Sequence, residues 1–344
     1  MAPNLPRTML SWQYTSTKNG LEENLTLNTI PIPQPTASQH LVKIHTAALN
    51  PVDYRLSESP LIHKLCIPKP ASPGDEFAGT IVQPAPGSGF KEGDRVFGAV
   101  GTNFMCGGAM SEYGVCSVKT LAALPEDVSM VDAAGITVAG VTVYQAIVPY
   151  SKVGDRVFLN GGSGGVGTFG IQIAKAAGRV VDVCCSGANA ALCKELGADQ
   201  VIDYKTRDVL MALKAAGRKY DLVVDLVGND HSLYWKAHEY TNPGAKFVTV
   251  AISHQFSFIR FVAAARLLPR FLGGGGRQHL IVVGDPKVEE LKQIADWMVE
   301  GKVKAVIDSK YKFGDLRQAY QRLKTGRAKG KIVVNVLAED ECTA

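Results

Sequence analysis

Gly162, Gly164 and Gly167 stand in the spacing G-x-G-x-x-G within the stretch VFLNGGSGGVGTFGIQIAKAAG, residues 157–178. An apolar strand precedes them and a helix follows. Such a loop is shaped to hold a diphosphate. The first glycine permits a tight turn, the second lets the backbone approach the phosphates, and the third lets the helix pack on the sheet. The helix N-terminus adds free N–H groups and the positive end of a dipole. Ser163, Gly165 and Val166 complete the loop and join the glycines as expected cofactor contacts.

The strand at 179–185 distinguishes one dinucleotide from another. A site for NAD wants an Asp or Glu at the strand end, about 20 residues past the loop, to bond the ribose hydroxyls. The end here reads Cys184, Cys185, Ser186, Gly187, Ala188, Asn189, without an acid, and Asp182 comes too early. Ser186 and Asn189 offer hydrogen bonds, and Tyr204 closes the following strand. The reading is NADPH. No Arg or Lys stands within the segment 186–190, so the phosphate charge falls to Lys205 or to a residue distant in sequence. Ala251, after the fifth strand, is a further expected cofactor contact.

These residues need a parallel sheet to position them. From about Val131 short apolar strands (RVFLN, RVVDVCC, QVIDY, YDLVVDLVG, AKFVTVA) alternate with Ala-rich helical stretches, the texture of a doubly wound α/β sheet. The first third is different. Its β-branched runs are punctuated by Pro and Gly, which suggests a barrel or sandwich. The tail adds amphipathic helices at 287–302 and 315–327 and a closing strand at 330–338.

A chain of 344 residues with 46% hydrophobic and 20% charged side chains suits two globular domains. The net charge of +5 is too small to argue for nucleic acid. Seven cysteines without a CxxC pair argue against a disulfide framework and for a reducing, cytoplasmic setting. No apolar run is long enough for a membrane span. The stretch 256–276, FSFIRFVAAARLLPRFLGGGG, reads as a core or dimer helix, as a lid over a hydrophobic substrate, or as a basic segment making peripheral membrane contact. Monomer and homodimer both stay open.

Five segments carry a resemblance over nearly the whole chain: ALNPVDYRL (48–56), PGDEFAGTIV (73–82), AAGITVAGVTVYQAI (133–147), LNGGSGGVGTFGIQIAK (159–175) and the tail 301–334. They resemble the medium-chain dehydrogenase/reductase superfamily, in its branch of quinone oxidoreductases and enoyl reductases, fungal trans-acting enoyl reductases among them. The resemblance implies a GroES-like β-barrel domain, from residues 1–130 and 305–344, plus a Rossmann domain at 131–304, with the cofactor in the cleft. Zinc members of the superfamily bind their catalytic ion through a Cys and the His of a G-H-E motif. This chain has Asn50 and Asp75 at those positions, and Cys106 and Cys116 stand alone. No zinc is expected, and alcohol oxidation through a metal-bound alkoxide is disfavoured.

Hydride addition to an already polarised acceptor then remains. The expected substrate is a small hydrophobic enone, enoyl thioester or quinone. The enolate formed needs hydrogen-bond donors and a proton. Asn50, Tyr54 and Arg55 are the candidates. Quinone oxidoreductases usually have a tyrosine where Arg55 stands, which leaves the proton donor open. Asp53 orients the loop or a ribose hydroxyl, or caps the helix that follows. By resemblance, Thr137 falls at the nicotinamide or substrate and Lys331 at the cofactor. The alternative is an NADPH-binding protein with weak or lost catalysis that acts through a partner or a membrane surface.

Overall fold

The computed structural model describes residues 5–101, 107–250, 256–268 and 275–337. The chain forms two units. One comprises Met1–Val141, Asp285–Gly301 and Ala305–Ala344, the other Thr142–Gly284 and Lys302–Lys304.

In the first unit, β1 (Thr8–Gln13) and β2 (Thr26–Pro31) form a hairpin. The main sheet is built on β3 (Gln39–Leu49), β4 (Glu76–Gln83), β5 (Arg95–Ala99), β6 (Tyr113–Ser117) and β7 (Leu121–Ala123). After the second unit the chain returns to it with β14 (Ile307–Lys312) and β15 (Lys331–Asn335). The order is β14-β15-β3-β4-β5-β7, with β6 also on β3. One edge of the long β3 serves two partners: residues 39–43 pair with β6, and residues 46–49 pair with β15. Register shifts against β4 at Leu41/Val42 and Ile44/Thr46 let the strand bend between them. This is the GroES-like half. Its core gathers Phe77, Val42, Ile44, Leu121, Tyr320 and Ile332.

The helix Val288–Val299 belongs to this unit, although the expected boundary at 304 assigned it to the other. Leu291, Ile294 and Ala295 form its buried face, and Ile294 packs over Gly140. Burying that apolar stripe decides the placement.

The second unit holds β8 (Arg156–Asn160), β9 (Val180–Cys185), β10 (Gln200–Asp203), β11 (Tyr220–Asp225), β12 (Thr241–Thr249) and β13 (Gln278–Ile281). All pair in parallel, in the order β10-β9-β8-β11-β12-β13. This is the doubly wound Rossmann arrangement. The strand order reverses between β8 and β11, the place where such sheets bind dinucleotides. The helix Phe256–Leu267 sends Phe258 and Phe261 into the core around Tyr234 and Phe247, and His231 stacks on Phe261 with ring centroids 4.1 Å apart. For this part of the stretch 256–276 the core reading holds. Residues 269–274 lie outside the described residues, and so does Ala251.

A buried ion pair ties the sheet together away from its binding end. Asp182 Oδ2 accepts from Arg156 Nε (2.9 Å), from Arg156 Nη2 and from the Tyr220 hydroxyl (2.7 Å). Strands β8, β9 and β11 are linked through one carboxylate, and Asp182 is thereby withheld from any ribose. Asp182→Asn would leave Arg156 charged and without its counter-ion. A loss of about 3–5 kcal/mol in unfolding free energy is expected from urea titration. Tyr220→Phe should cost only about 1 kcal/mol. If Asp182→Asn cost no more than Tyr220→Phe, the ion pair would not be what secures these strands.

Candidate functional site

The loop after β8 is shaped by backbone requirements. Gly161, with φ +106°, makes the turn, and the N–H groups of Gly161 and Gly162 both donate to the Cys184 carbonyl, at 3.1 and 2.9 Å. Gly162, the first glycine of the motif, has another task. It faces β9 so closely that a Cβ would come within 2.8 Å of Val183 Cβ. A side chain at Gly167 would strike the Gly161 carbonyl. Gly164, which caps the helix Gly165–Ala176, has open space where its side chain would be. The backbone is therefore accessible just where a twelve-residue helix presents its N–H groups, and the loop fits a diphosphate. Gly165 and Val166 form the first turn of that helix.

Asn189 reaches back to this loop and donates through Nδ2 to Ser163 Oγ at 2.9 Å. Its Oδ1 is buried without a partner. Ser186 is half-buried and Tyr204 exposed. The structure also brings in a group that the sequence reading missed. Parallel pairing sets Asp203 opposite Cys185, and its carboxylate accepts from the backbone N–H of Lys205 (3.0 Å) and of Gly187. These donors, Lys205 first, hold Asp203 below the usual carboxylate range. The strand end without an acid in sequence thus has one in space, supplied by the neighbouring strand. The signal was the register between β9 and β10.

In the first unit the ends of three strands converge. Asn50 follows β3 and precedes the helix Pro51–Ser57. Asp53 reaches back so that its Oδ2 accepts from Asn50 N at 2.8 Å, the helix-cap reading. The Asn50 side chain donates through Nδ2 to Glu76 Oε1 at 2.7 Å. Lys331 Nζ donates to Glu76 Oε1 (2.7 Å), Asn50 Oδ1 (2.6 Å) and the Leu49 carbonyl (3.0 Å). Its three hydrogens all have acceptors within the unit. Lys331, expected at the cofactor, is the counter-ion of Glu76. The other oxygen of Glu76 accepts from Val138 N at 2.6 Å. Val138 lies in a π-helical turn, Ile136–Gly140, and beside it the Thr137 hydroxyl is buried with no hydrogen-bond partner.

Tyr54 and Arg55 leave the same helix on other faces. The Tyr54 ring packs at the core edge with Lys324 Nζ 5.2 Å from its centroid, and Arg55 is exposed. The structure therefore brings Asn50, Asp53, Thr137 and Lys331 together around Glu76, and it does not add Tyr54 or Arg55. Glu76 itself was not singled out from sequence. Its signal was the acid directly after Asp75.

Asp53 and Asp75 both line a small cavity of about 20 Å³ with Tyr14, Ser57, Ser72 and Gly107. That is room for about one water. Burial pushes Asp53 up to about 7, against the pull of the Asn50 N–H and of Lys331. Burial pushes Asp75 well above the ordinary carboxylate range, and the neighbouring Asp53 and Glu76 raise it further.

Comparison with known proteins fits this geometry. Residues 36–126 match the alcohol dehydrogenase GroES-like domain, and residues 196–334 match a family described as zinc-binding dehydrogenase. A trans-enoyl reductase of Aspergillus terreus is 41% identical over 98% of both chains. The chain belongs to the medium-chain dehydrogenase/reductase family. The quinone-oxidoreductase homolog of Spinacia oleracea chloroplasts is 29% identical over 89% of this chain and 92% of its own. The quinone oxidoreductase structure from Coxiella burnetii superposes with a TM-score of 0.82 at 28% identity, covering 96% of this chain and 100% of that one.

The family description raises zinc, and the described residues around Asn50 do not fit it. Among the described residues no group of three His, Cys, Asp or Glu side chains is placed to hold a metal ion. Where zinc members have their first thiolate stands Asn50, whose oxygen already faces the Lys331 ammonium. A second cation at that oxygen would be repelled.

The raised carboxyls give a pH signature. A carboxyl with a raised folded value stabilises the fold at low pH, and that contribution is lost as pH rises through the raised value. For Asp53 the window runs from 3.8 to about 7. Urea midpoints of the wild type should fall between pH 5 and pH 8, and Asp53→Asn, which keeps an acceptor for Asn50 N, should flatten that fall. An unchanged slope in the variant would show that Asp53 does not titrate in this range.

Proposed function

We propose that this protein is an NADPH-dependent, zinc-independent reductase of acceptors already polarised by a carbonyl: α,β-unsaturated ketones, enoyl thioesters or quinones. The donor set around Asn50 carries the reading. Its amide is committed to Glu76 and Lys331, and among the described residues no thiol or imidazole stands in for a zinc ligand. The reaction is then one in which the substrate brings its own polarisation. The relatives named for enoyl and quinone reduction point the same way. When bound, the dihydronicotinamide supplies a hydride to the β-carbon of the acceptor.

The protein's own residues do the rest. The loop at Gly162–Gly167 holds the diphosphate against the N-terminus of its helix. Ser186, Asn189 and Tyr204 offer polar groups to the ribose phosphate, with Lys205 as the nearby cation. Thr137, whose buried hydroxyl lacks a partner, is the donor we assign to the developing enolate or to the nicotinamide amide. An unmade buried hydrogen bond is costly, and a ligand oxygen or N–H would complete it.

One observation favours a second reading, NADPH binding with little or no turnover. Tyr54 is engaged beneath Lys324 and Arg55 lies in solvent, so neither of these candidate donors joins Asn50. A panel of an enone, an enoyl thioester and a quinone with NADPH separates the two. Turnover on any of them supports the reductase. Tight NADPH binding with no oxidation across the panel supports the second reading.

Three further outcomes are expected. Stoichiometric zinc should be absent by elemental analysis after dialysis, and one zinc per chain would overturn the reading of Asn50. NADPH should be preferred to NADH by at least about tenfold in kcat/KM, and equal use would overturn the ribose assignment. Asp203→Asn removes a negative charge at this strand end and should tighten NADPH relative to NADH by about three- to tenfold.

A further inference from the structure

We propose that Glu76 is the positioning residue of this site, fixing Thr137 by holding the π-turn Ile136–Gly140 through Val138 N. The proposal rests on the reductase reading above and adds the residue on which that site's geometry depends.

Glu76 is the first residue of β4 and is fully buried. Both of its oxygens have fixed partners, Asn50 and Lys331 on Oε1 and Val138 N on Oε2. The contact to Val138 at 2.6 Å is a charge-assisted hydrogen bond, roughly twice as strong as a neutral one. It falls one residue past Thr137, inside a π-turn. Such turns insert an extra residue into a helix and recur at functional sites. They need an outside partner because the ordinary helical bonds are interrupted.

Two other contacts hold the same turn. Gly135, just before it, lies against the aliphatic stem of Lys331, so that a Cβ there would come within 3.0 Å of Lys331 Cγ. Ile294 backs it at Gly140. Lys331 thus sets the turn twice, through its stem at Gly135 and through its charge on Glu76. The Thr137 hydroxyl, buried without a partner, is what this bracing presents. Asn50 is fixed by the same carboxylate, so one group sets the two polar side chains of the site.

The test uses three variants of the full chain. Glu76→Asp keeps the charge for Lys331 but is one methylene too short to reach Lys331 and Val138 together. Glu76→Gln keeps the length and an oxygen for Val138 N but leaves Lys331 unpaired. Glu76→Gln with Lys331→Met removes the pair as a unit, which buried pairs tolerate far better than loss of one partner. Thermal melts fix a temperature at which every variant is folded. Affinity for NADPH is then measured beside affinity for 2′,5′-ADP, which requires only the glycine-loop unit, and turnover is measured on the best acceptor.

Glu76→Asp should lower kcat, or raise KM for the acceptor, by about 100-fold in kcat/KM, the cost of misplacing a site by about 1 Å. Alternatively it should weaken NADPH at least tenfold. Its affinity for 2′,5′-ADP should stay within threefold of wild type. The double variant should regain at least tenfold of what Glu76→Asp loses. The proposal is overturned if folded Glu76→Asp keeps both turnover and NADPH affinity within threefold. It is also overturned if the losses across the variants simply follow their melting temperatures. Failure of the reductase reading looks different: the wild type itself would turn over no acceptor. The comparison of NADPH with 2′,5′-ADP in Glu76→Asp then decides the positioning role alone.

Discussion

One buried carboxylate, Glu76, is the point on which the first unit's polar site depends. It receives an ammonium, an amide and a backbone N–H at 2.6–2.7 Å, and each comes from a different part of the chain: Lys331 from β15, Asn50 from the end of β3, Val138 from the π-turn. A charge with no exposure is tolerable only with such full pairing. The same need for pairing makes it an organiser. The ends of β3 and β15, which pair at Leu49 and Ile332, are joined to a turn outside that ladder, and one group holds all three at fixed distances. Residues more than 250 positions apart in sequence meet there, which explains why the tail must return to the first unit.

The second unit solves its problem with backbone rather than charge. Its sheet is secured by the Arg156–Asp182–Tyr220 cluster, while the loop after β8 keeps its backbone bare. Gly161 turns, Gly162 lies on Val183 and Gly167 lies against the loop, so Gly164 is left as the open face. The helix that begins there is the natural seat for a diphosphate. At the end of β9 the Asp203 carboxylate is held by two backbone N–H groups, those of Lys205 and Gly187. Asp203 lies beside Tyr204 and Lys205, so the end of this strand pair is a mixed-charge edge and not a simple basic pocket.

What the sequence made legible follows from the range of the interactions. The alternation of strands and helices after Val131, the glycine loop and the two amphipathic tail helices are local patterns, and the strands β8 to β12 lie where those patterns put them. The function of Gly162 was only partly legible. The spacing named the motif, but the turn belongs to Gly161, because contact with Val183 is a property of the folded sheet. Lys331 was noticed, but its pairing was not legible, since its three acceptors come from segments some 255 to 282 residues away. Glu76 and Asp203 were not noticed, because their importance lies in pairing across strands. Asn50 and Thr137 were named by motif, and the contacts of Asn50 with Glu76 and Lys331 were not legible. The helix Val288–Val299 was recognised as amphipathic, but a stripe of Leu291, Ile294 and Ala295 does not say which unit it faces.

The buried acids beside Asn50 also need their charge balanced. Asp53, Asp75 and Glu76 lie together, with Lys331 as the cation that pairs directly among them. Three ionised carboxylates against one ammonium would leave two uncompensated charges in a buried space, which is prohibitive. Glu76 takes the ammonium. Asp53 and Asp75 are pushed toward their neutral forms, and Asp53 still accepts the Asn50 N–H, which a protonated carboxyl can do through its carbonyl oxygen. Protons thus take the part that a divalent cation would otherwise have in an acid-rich pocket. The consequence is chemical as well as structural. The two acids then offer hydrogen bonds more than charge to the small cavity that they line.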